Sequence, residues 1–419
     1  MSAQMLSLQS LSKIISCMKM TSRKTTVFSC VALLLSVSLF SCNSSKKPKE
    51  KNAVLPAMEI NTKKAIDWHK KTKASVIYKD GRDSVVAECT VKFRGGASSK
   101  YPKHSYAVKF AEKYSLCGLP ATKSWILNAN YIDKTFMRHK ICYDLFRQMG
   151  DYNRASRCAY VRVLENNSPQ GLYVLMQRLT RSVLNVDKLD EEAAVFKDPK
   201  AFFREMPAKD PADANFHEQT FPEFEKEDRS YMIDSIRDFI QNAPDDKFYS
   251  EVGELFDLRN VVDWHLLLLF TNNGDGVLKN FYLYRQDSET PFRIAVWDCD
   301  HSFGRDGDNE KNMLEHTIGE RRNILFDRLL NNKSYIESLA GRWKQLRDSG
   351  VFSLENISGM MAENDKYIRL GLQENASLWP FDSEFYFDSA GYDEECGLMT
   401  EFVRKNLRVL DERFGYSAK

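Results

Sequence analysis

The sequence lacks the paired spacings that hold zinc: neither Cys-x2-Cys nor His-x3-His occurs among its nine cysteines and seven histidines, which argues against a zinc site. It has little net charge, +2 from 60 basic and 58 acidic residues. No basic stripe with interleaved aromatics stands out, so nothing in it calls for nucleic acid as a partner. Internal repeats and low-complexity tracts are absent, which excludes a solenoid or an array. The apolar run at residues 27–40 is 14 residues long, too short to span a bilayer comfortably as a helix. What remains is an ordinary soluble composition, 43% hydrophobic and 28% charged, over 419 residues. That length allows one large domain or two lobes with ample core.

The N-terminus departs from this plain picture. A short basic stretch at residues 18–24 precedes the apolar run, which ends in Leu39-Phe40-Ser41-Cys42. This order of charged, apolar and small-residue regions describes a secretory signal peptide. The ending resembles the lipobox of bacterial lipoproteins, in which Cys42 becomes the lipidated first residue. The alternative is a plain signal or membrane anchor with an incidental cysteine; the Lys-rich stretch that follows favours a lipidated tether. Residues 1–17 are superfluous to such a signal, so translation is expected to start at Met18 or Met20. The expected layout is a signal at 1–42, a tether at 43–58 and a folded domain at 59–419. The expected location is the bacterial cell envelope, lipid-anchored, periplasmic or surface-exposed. Six cysteines follow Cys42 at wide, irregular spacings. An oxidising compartment permits disulfides, but buried thiols explain them equally well.

Periodicity divides the folded part in two. Residues 74–78, 85–93 and 105–110 are rich in Val, Tyr and Phe and read as strands, followed by a buried strand at 125–127. A helix is expected at 134–149, stopped by Gly150. Strands at 159–165 and 172–177 flank a hairpin connection at 166–171. The stretch 197–227 holds four prolines, many charges and little periodicity, and reads as a long surface loop or insertion. Helices then dominate, at 231–242, 261–271, 335–348, 354–372 and 399–413, interrupted by a strand pair at 281–285 and 293–297. This is an α+β layout with a β-rich lobe at about 59–180 and a helical lobe at about 229–419.

The chemistry concentrates between Thr271 and Gly304. An apolar helix ends in Asn272-Asn273-Gly274-Asp275-Gly276, a turn that presents a carboxylate. Asn280 follows, then the strand pair, then Trp297-Asp298-Cys299-Asp300-His301-Ser302-Phe303-Gly304. Protein kinases order their active site in this way: an Asp, an Asn five residues on, two strands, then a metal-binding Asp ahead of Phe-Gly. Phosphate charge is the reason. A hard divalent cation takes oxygen ligands from carboxylates and an amide, while a separate carboxylate accepts the proton of the acceptor hydroxyl. Asp275 suits the second role; Asn280 and Asp298 suit the first, with Asp300 a further ligand or a support for one. Each piece alone has a structural explanation, as a tight turn, a Ca²⁺ loop or a cap.

Taken together, the block resembles the CotH kinase-like family, atypical protein kinases of the spore coat protein H type. The resemblance rests on the Asn-rich Asp turn, on Asn280-Phe281-Tyr282-Leu283-Tyr284, and on Trp297-Asp298-x-Asp300-x-x-Phe303-Gly304. Upstream it adds Arg94-Gly95-Gly96-Ala97-Ser98-Ser99, Pro102-Lys103-His104-Ser105-Tyr106, and Trp125 to Lys134 with Arg138. It implies a two-lobed kinase-like fold that binds ATP with Mg²⁺ or Mn²⁺ and phosphorylates Ser or Thr of secreted or envelope proteins. It also implies a phosphate cradle at Arg94, Gly95, Ser98 and Ser99, whose backbone N–H groups approach phosphate closely. Lys109 and Lys103 compete for the phosphate-binding lysine; most lysines are simply solvated. Two departures stand out. Gln177 occupies a position where relatives often have Glu, and His104 replaces a second lysine. The competing readings are a pseudokinase-like adhesin or scaffold, and a metal-dependent enzyme acting on another phosphate- or sugar-bearing substrate.

Overall fold

Alternating burial in the first part of the chain closes a barrel. The computed structural model describes residues 53–210, 213–305, 316–386 and 388–417; Cys42 and the signal sequence lie outside them. Strands β1 (Ala57–Thr62), β2 (Thr72–Lys79), β3 (Ser84–Arg94), β4 (Ser105–Tyr114) and β5 (Thr122–Asn128) form an antiparallel meander. Helix α1 (Arg138–Met149), the two-residue β6 (Arg154–Ala155), β7 (Cys158–Glu165) and β8 (Ser168–Gln177) follow. The barrel order is β1-β2-β3-β4-β5-β8-β7, closed by parallel pairing of β1 with β7, so no edge is left open. The hairpin expected between β7 and β8 turns on Asn166 and Asn167, with φ of 48° and 65°, as a two-residue turn of this type requires. Strand β1 begins inside the stretch expected as tether: Met58 and Ile60 point into the barrel, so the folded domain starts earlier than residue 59.

Residues 125–127 of β5 and 171–177 of β8 are buried on both faces. Trp125, Leu127, Tyr173 and Leu175 fill the barrel, while Ile126, Leu172, Val174 and Met176 join the helical core outside it. Two-sided burial explains why residues 125–127 read as a short buried apolar run.

After the short α2 (Arg181–Leu184) come β9 (Ala194–Lys197), β10 (Gln219–Phe221), β11 (Phe281–Arg285) and β12 (Arg293–Val296). They form a five-stranded sheet, β10-β9-β11-β12-β6. The stretch expected to be a loop at 197–227 therefore supplies part of this sheet. Its prolines hid a three-residue strand that is held by β9, not by its own periodicity. The helices are α3 (Ser230–Asn242), α4 (Asp245–Leu255), α5 (Leu258–Thr271), α6 (Ile324–Leu329), α7 (Lys333–Asp348), α8 (Leu354–Leu378) and α9 (Tyr392–Arg413). The α+β expectation holds: a β-rich part with a barrel precedes a helical part. Helices α2, α4 and α6 were not anticipated. No helix among the described residues is long and apolar enough to cross a membrane.

Helix α5 is the axis of the helical part. Twelve of its 14 residues are buried, so it is apolar on nearly every side, as a helix surrounded by packing must be. Asp257 caps its start by accepting the Arg259 N–H at 3.2 Å. It ends at Asn272 in the left-handed region, φ 52°, a C-terminal turn that Asn tolerates. The chain then delivers the acidic turn to the edge of a cleft.

Candidate active site

A cleft of about 680 Å³ gathers residues from both parts of the chain. The barrel contributes Arg94, Gly95, Ser98 and the 128–133 stretch; the rest contributes Lys197, Asp198, Asp275, Lys279, Asn280, Asp298, Asp300 and His301. The four acidic and amide residues singled out in the sequence thus share one cavity with most of the expected phosphate loop.

Asp275 opens a single 3₁₀ turn, Asp275–Val277, held from behind by Asn273, whose Oδ1 accepts the Gly276 N–H at 2.9 Å. Its carboxylate meets Lys279 Nζ at 2.9 Å and His301 Nδ1 at 3.6 Å, and stays 30% exposed. It is reachable from the cleft and held in place.

Asn280 is in the left-handed region at φ 63°. Asp198 fixes it there: Asp198 Oδ1 accepts the N–H of Asn280 at 2.6 Å and that of Phe281 at 3.2 Å. The Asn280 Nδ2 donates to the Asp298 carbonyl at 3.2 Å, which leaves the amide oxygen as the donor atom for a cation. Asp298 is also left-handed, φ 52°, with its N–H given to the Tyr143 hydroxyl at 2.9 Å. Strain of this kind persists only where surroundings enforce it, and here it turns the side chains of Asp298 and Asp300 to one place.

One ligand atom each from His139, Asp298 and Asp300 lies within 4.8 Å of the others. His139 Nε2 meets Asp298 Oδ1 at 2.9 Å, so the imidazole orients that carboxylate. Burial opposes ionisation of Asp298, but the His139 hydrogen bond and charge outweigh it and hold the carboxyl below its usual range. Burial also opposes a charge on His139, yet Asp298 and Asp300 raise its pKa. Asp300 is pushed the other way, first by burial and then by the charge on Asp298. Two carboxylates that resist joint ionisation are what a divalent cation reconciles, and their oxygens with Asn280 suit Mg²⁺ or Mn²⁺. The donor set therefore fits the metal that the resemblance implies.

In the same cleft Gly95 has φ 138°, a backbone conformation that strains any residue with a Cβ and so favours glycine. The loop then turns through a 3₁₀ segment, Ala97–Lys100. Ser98 faces the cleft, while Ser99 gives its N–H to the Gly96 carbonyl at 3.1 Å and does not line it. The Arg94 guanidinium sits 5.6 Å from the Trp297 ring centroid and 3.4 Å from Asn128 Oδ1. It has no carboxylate partner at salt-bridge distance among the described residues, and its charge acts on Asp298 from within the cleft.

The two candidate lysines are placed differently. Lys103 reaches the cleft wall but is 2% exposed. Its ammonium donates to Ala129 O and Asn375 Oδ1, both at 2.9 Å, and to Leu172 O, between the rings of Phe136 and Tyr173. These three contacts brace the barrel against α8, although burial works against the charge on Lys103. Lys109 is exposed on the outer face of β4, opposite in direction to Val108 and Phe110, and lines no part of the cleft. Lys109→Ala is expected to leave melting temperature and nucleotide binding unchanged. Lys103→Met is expected to cost at least about 2 kcal/mol through orphaned acceptors, read by urea denaturation.

His139 and Asp198 were not found from the sequence. The weak signal for His139 was its place next to Arg138; Asp198 gave none, since its role comes from β9 pairing with β11. Gln177, the suspected missing carboxylate, donates to the Pro120 carbonyl at 2.7 Å and belongs to barrel packing. His104 packs its ring against Trp68 and Phe93, at 4.9 Å from each.

Residues 91–410 match the family described as CotH kinase protein. Inner spore coat protein H of Bacillus subtilis (strain 168) is 27% identical over 332 residues, covering 77% of this chain and 86% of its own length. The family match spans the Gly95 loop, His139, Asp198 and every acidic residue of the cleft. The chain belongs to the CotH kinase family.

Proposed function

We propose that this protein transfers the γ-phosphoryl group of ATP, with Mg²⁺ or Mn²⁺, to Ser or Thr hydroxyls of secreted or envelope proteins. The observation that carries this reading is the single cleft in which Asp275, Asn280, Asp298 and Asp300 face Arg94 and the Gly95–Ser98 backbone. Arg94 and the loop N–H groups hold phosphate oxygens. Asp275 accepts the proton of the acceptor hydroxyl as its oxygen bonds to the γ-phosphorus; the bond to the β-phosphate oxygen breaks and ADP leaves. Lys279 and His301 hold the Asp275 carboxylate in position. A divalent cation on Asn280, Asp298 and Asp300 would supply charge neutralisation for the phosphates. The signal and lipobox-like sequence support export and a lipid anchor at Cys42, which would place the acceptor proteins in the envelope.

The reading is tested by incubating purified protein with labelled ATP, casein and Mn²⁺ or Mg²⁺. Label is expected on casein or on the protein itself, lost on chelation. No transfer, together with no metal-dependent nucleotide shift in melting temperature, would sink it. Gln177, one feature that favours the adhesin alternative, donates to the Pro120 carbonyl and does not line the cleft, while Asp275 and Asp298 together favour an enzyme.

A further inference from the structure

A second cavity, of about 630 Å³, lies directly behind the turn that carries Asp275. Leu269, Ile318, Val409 and Leu410 give it an apolar floor, while Arg204, Arg321, Arg322 and Arg413 line it with one carboxylate among the described residues, Glu320. Their charge is answered only in part. Arg204 and Arg321 share Asp327, each at 2.7 Å, with side chains 61% and 54% exposed. Arg413 pairs with Glu320 at 2.8 Å. Arg322 has no carboxylate at all among the described residues: it donates to the carbonyls of Gly274 and Ile318 at 3.0 Å and of Gly319 at 3.3 Å. Through Gly274 it ties this cavity to the residue next to Asp275.

We propose that this cavity seats an acidic segment of the acceptor protein, next to the hydroxyl that Asp275 receives; the proposal rests on the kinase reading above. The arginine excess selects negative charge. The apolar floor favours a peptide over a free anion, because phosphate alone gains nothing from Leu269 and Val409. Asn272 lines the cavity and Asp275 the cleft, and three residues of chain put their Cα atoms at most about 11 Å apart. A few extended residues of substrate cover that distance.

The experiment uses the full chain and three fluorescent peptides with a central Ser, flanked by Asp/Glu and Leu, by neutral residues, or by Lys. Anisotropy is expected to rank the acidic peptide first, with binding that weakens as salt rises. The Arg204→Gln/Arg321→Gln protein is expected to bind it about tenfold more weakly. Val409→Asp, at a site 51% exposed and so safe for folding, should lose the same preference by repulsion. In transfer assays both changes should raise KM for the acidic peptide and leave kcat alone. Equal binding of acidic and neutral peptides, or wild-type binding by both variants, overturns the proposal. Acid-selective binding without transfer would leave this surface standing and refute the kinase reading. Transfer without charge preference would do the reverse, and neither binding nor transfer refutes both.

Discussion

Asp275→Asn is expected to slow phosphoryl transfer by about 10²–10⁴-fold, the usual worth of a positioned general base, with nucleotide affinity unchanged. The amide keeps the size and the turn, since the 3₁₀ segment is held by Asn273 and not by the Asp275 side chain. It cannot take a proton. Asp298→Asn should fail differently. It removes a charge from the proposed cation site and weakens the acceptor for His139, which is buried with no partner for Nδ1 among the described residues. Metal-dependent nucleotide binding should then be lost along with transfer. Single-turnover transfer and nucleotide-induced melting shifts separate the two cases. If Asp275→Asn loses nucleotide affinity while Asp298→Asn keeps it, the roles assigned here are reversed.

The contrast between those two carboxylates was visible in the sequence because each stands in a local motif. Asp275 follows a helix stop rich in Asn and Gly, and Asp298 opens a segment that ends in Phe303-Gly304. Gly304 shows why that ending is needed: its φ is 87°, and a Cβ would press on Phe402 at 2.9 Å. What the sequence concealed is what tertiary pairing makes. Asp198 holds Asn280 in its left-handed conformation, yet it comes from a proline-rich stretch with no periodicity of its own. Strand β9, Ala-Val-Phe-Lys, is too short and too buried to alternate. His139 sits on α1, where an interior histidine is indistinguishable from a packing residue until the Asp298 loop is laid over it. The lysines erred in the opposite direction. Lys103 and Lys109 had the right neighbours in sequence, but strand alternation sends Lys109 outward and α8 claims Lys103.

Arg138→Met is expected to be the most destabilising single change near the site, at about 3–5 kcal/mol. Arg138 is 1% exposed and binds Asp133 Oδ1 at 2.6 Å, Glu395 Oε2 at 3.2 Å and the Ser302 carbonyl at 2.9 Å. Glu395 keeps Arg305 as a partner, at 3.0 Å. Among the described residues Asp133 keeps only neutral hydrogen-bond donors, Thr135, Asn130 and backbone N–H groups, with the more distant charge of His139. Burial pushes the Asp133 carboxyl upward, and Arg138, Thr135 and the charge on His139 together outweigh it, so its folded pKa lies below the ordinary value. Ionised Asp133 thus stabilises the fold above the unfolded carboxylate pKa, a contribution lost as pH falls through the lower, folded one. Without Arg138 the sign reverses. Burial dominates, the folded pKa rises, and the penalty grows as pH climbs above about 4. The gap between wild type and Arg138→Met in urea denaturation should therefore narrow from pH 7 toward pH 4.5, and Arg138→Lys should recover part of it. A pH-independent gap would mean that lost packing, not an uncompensated Asp133, carries the effect. Function follows by the same contact: Ser302 is two residues past Asp300, so freeing its carbonyl loosens the loop that aims the Asp298 and Asp300 carboxylates of the proposed cation site. Transfer should then fall even at temperatures where the variant remains folded.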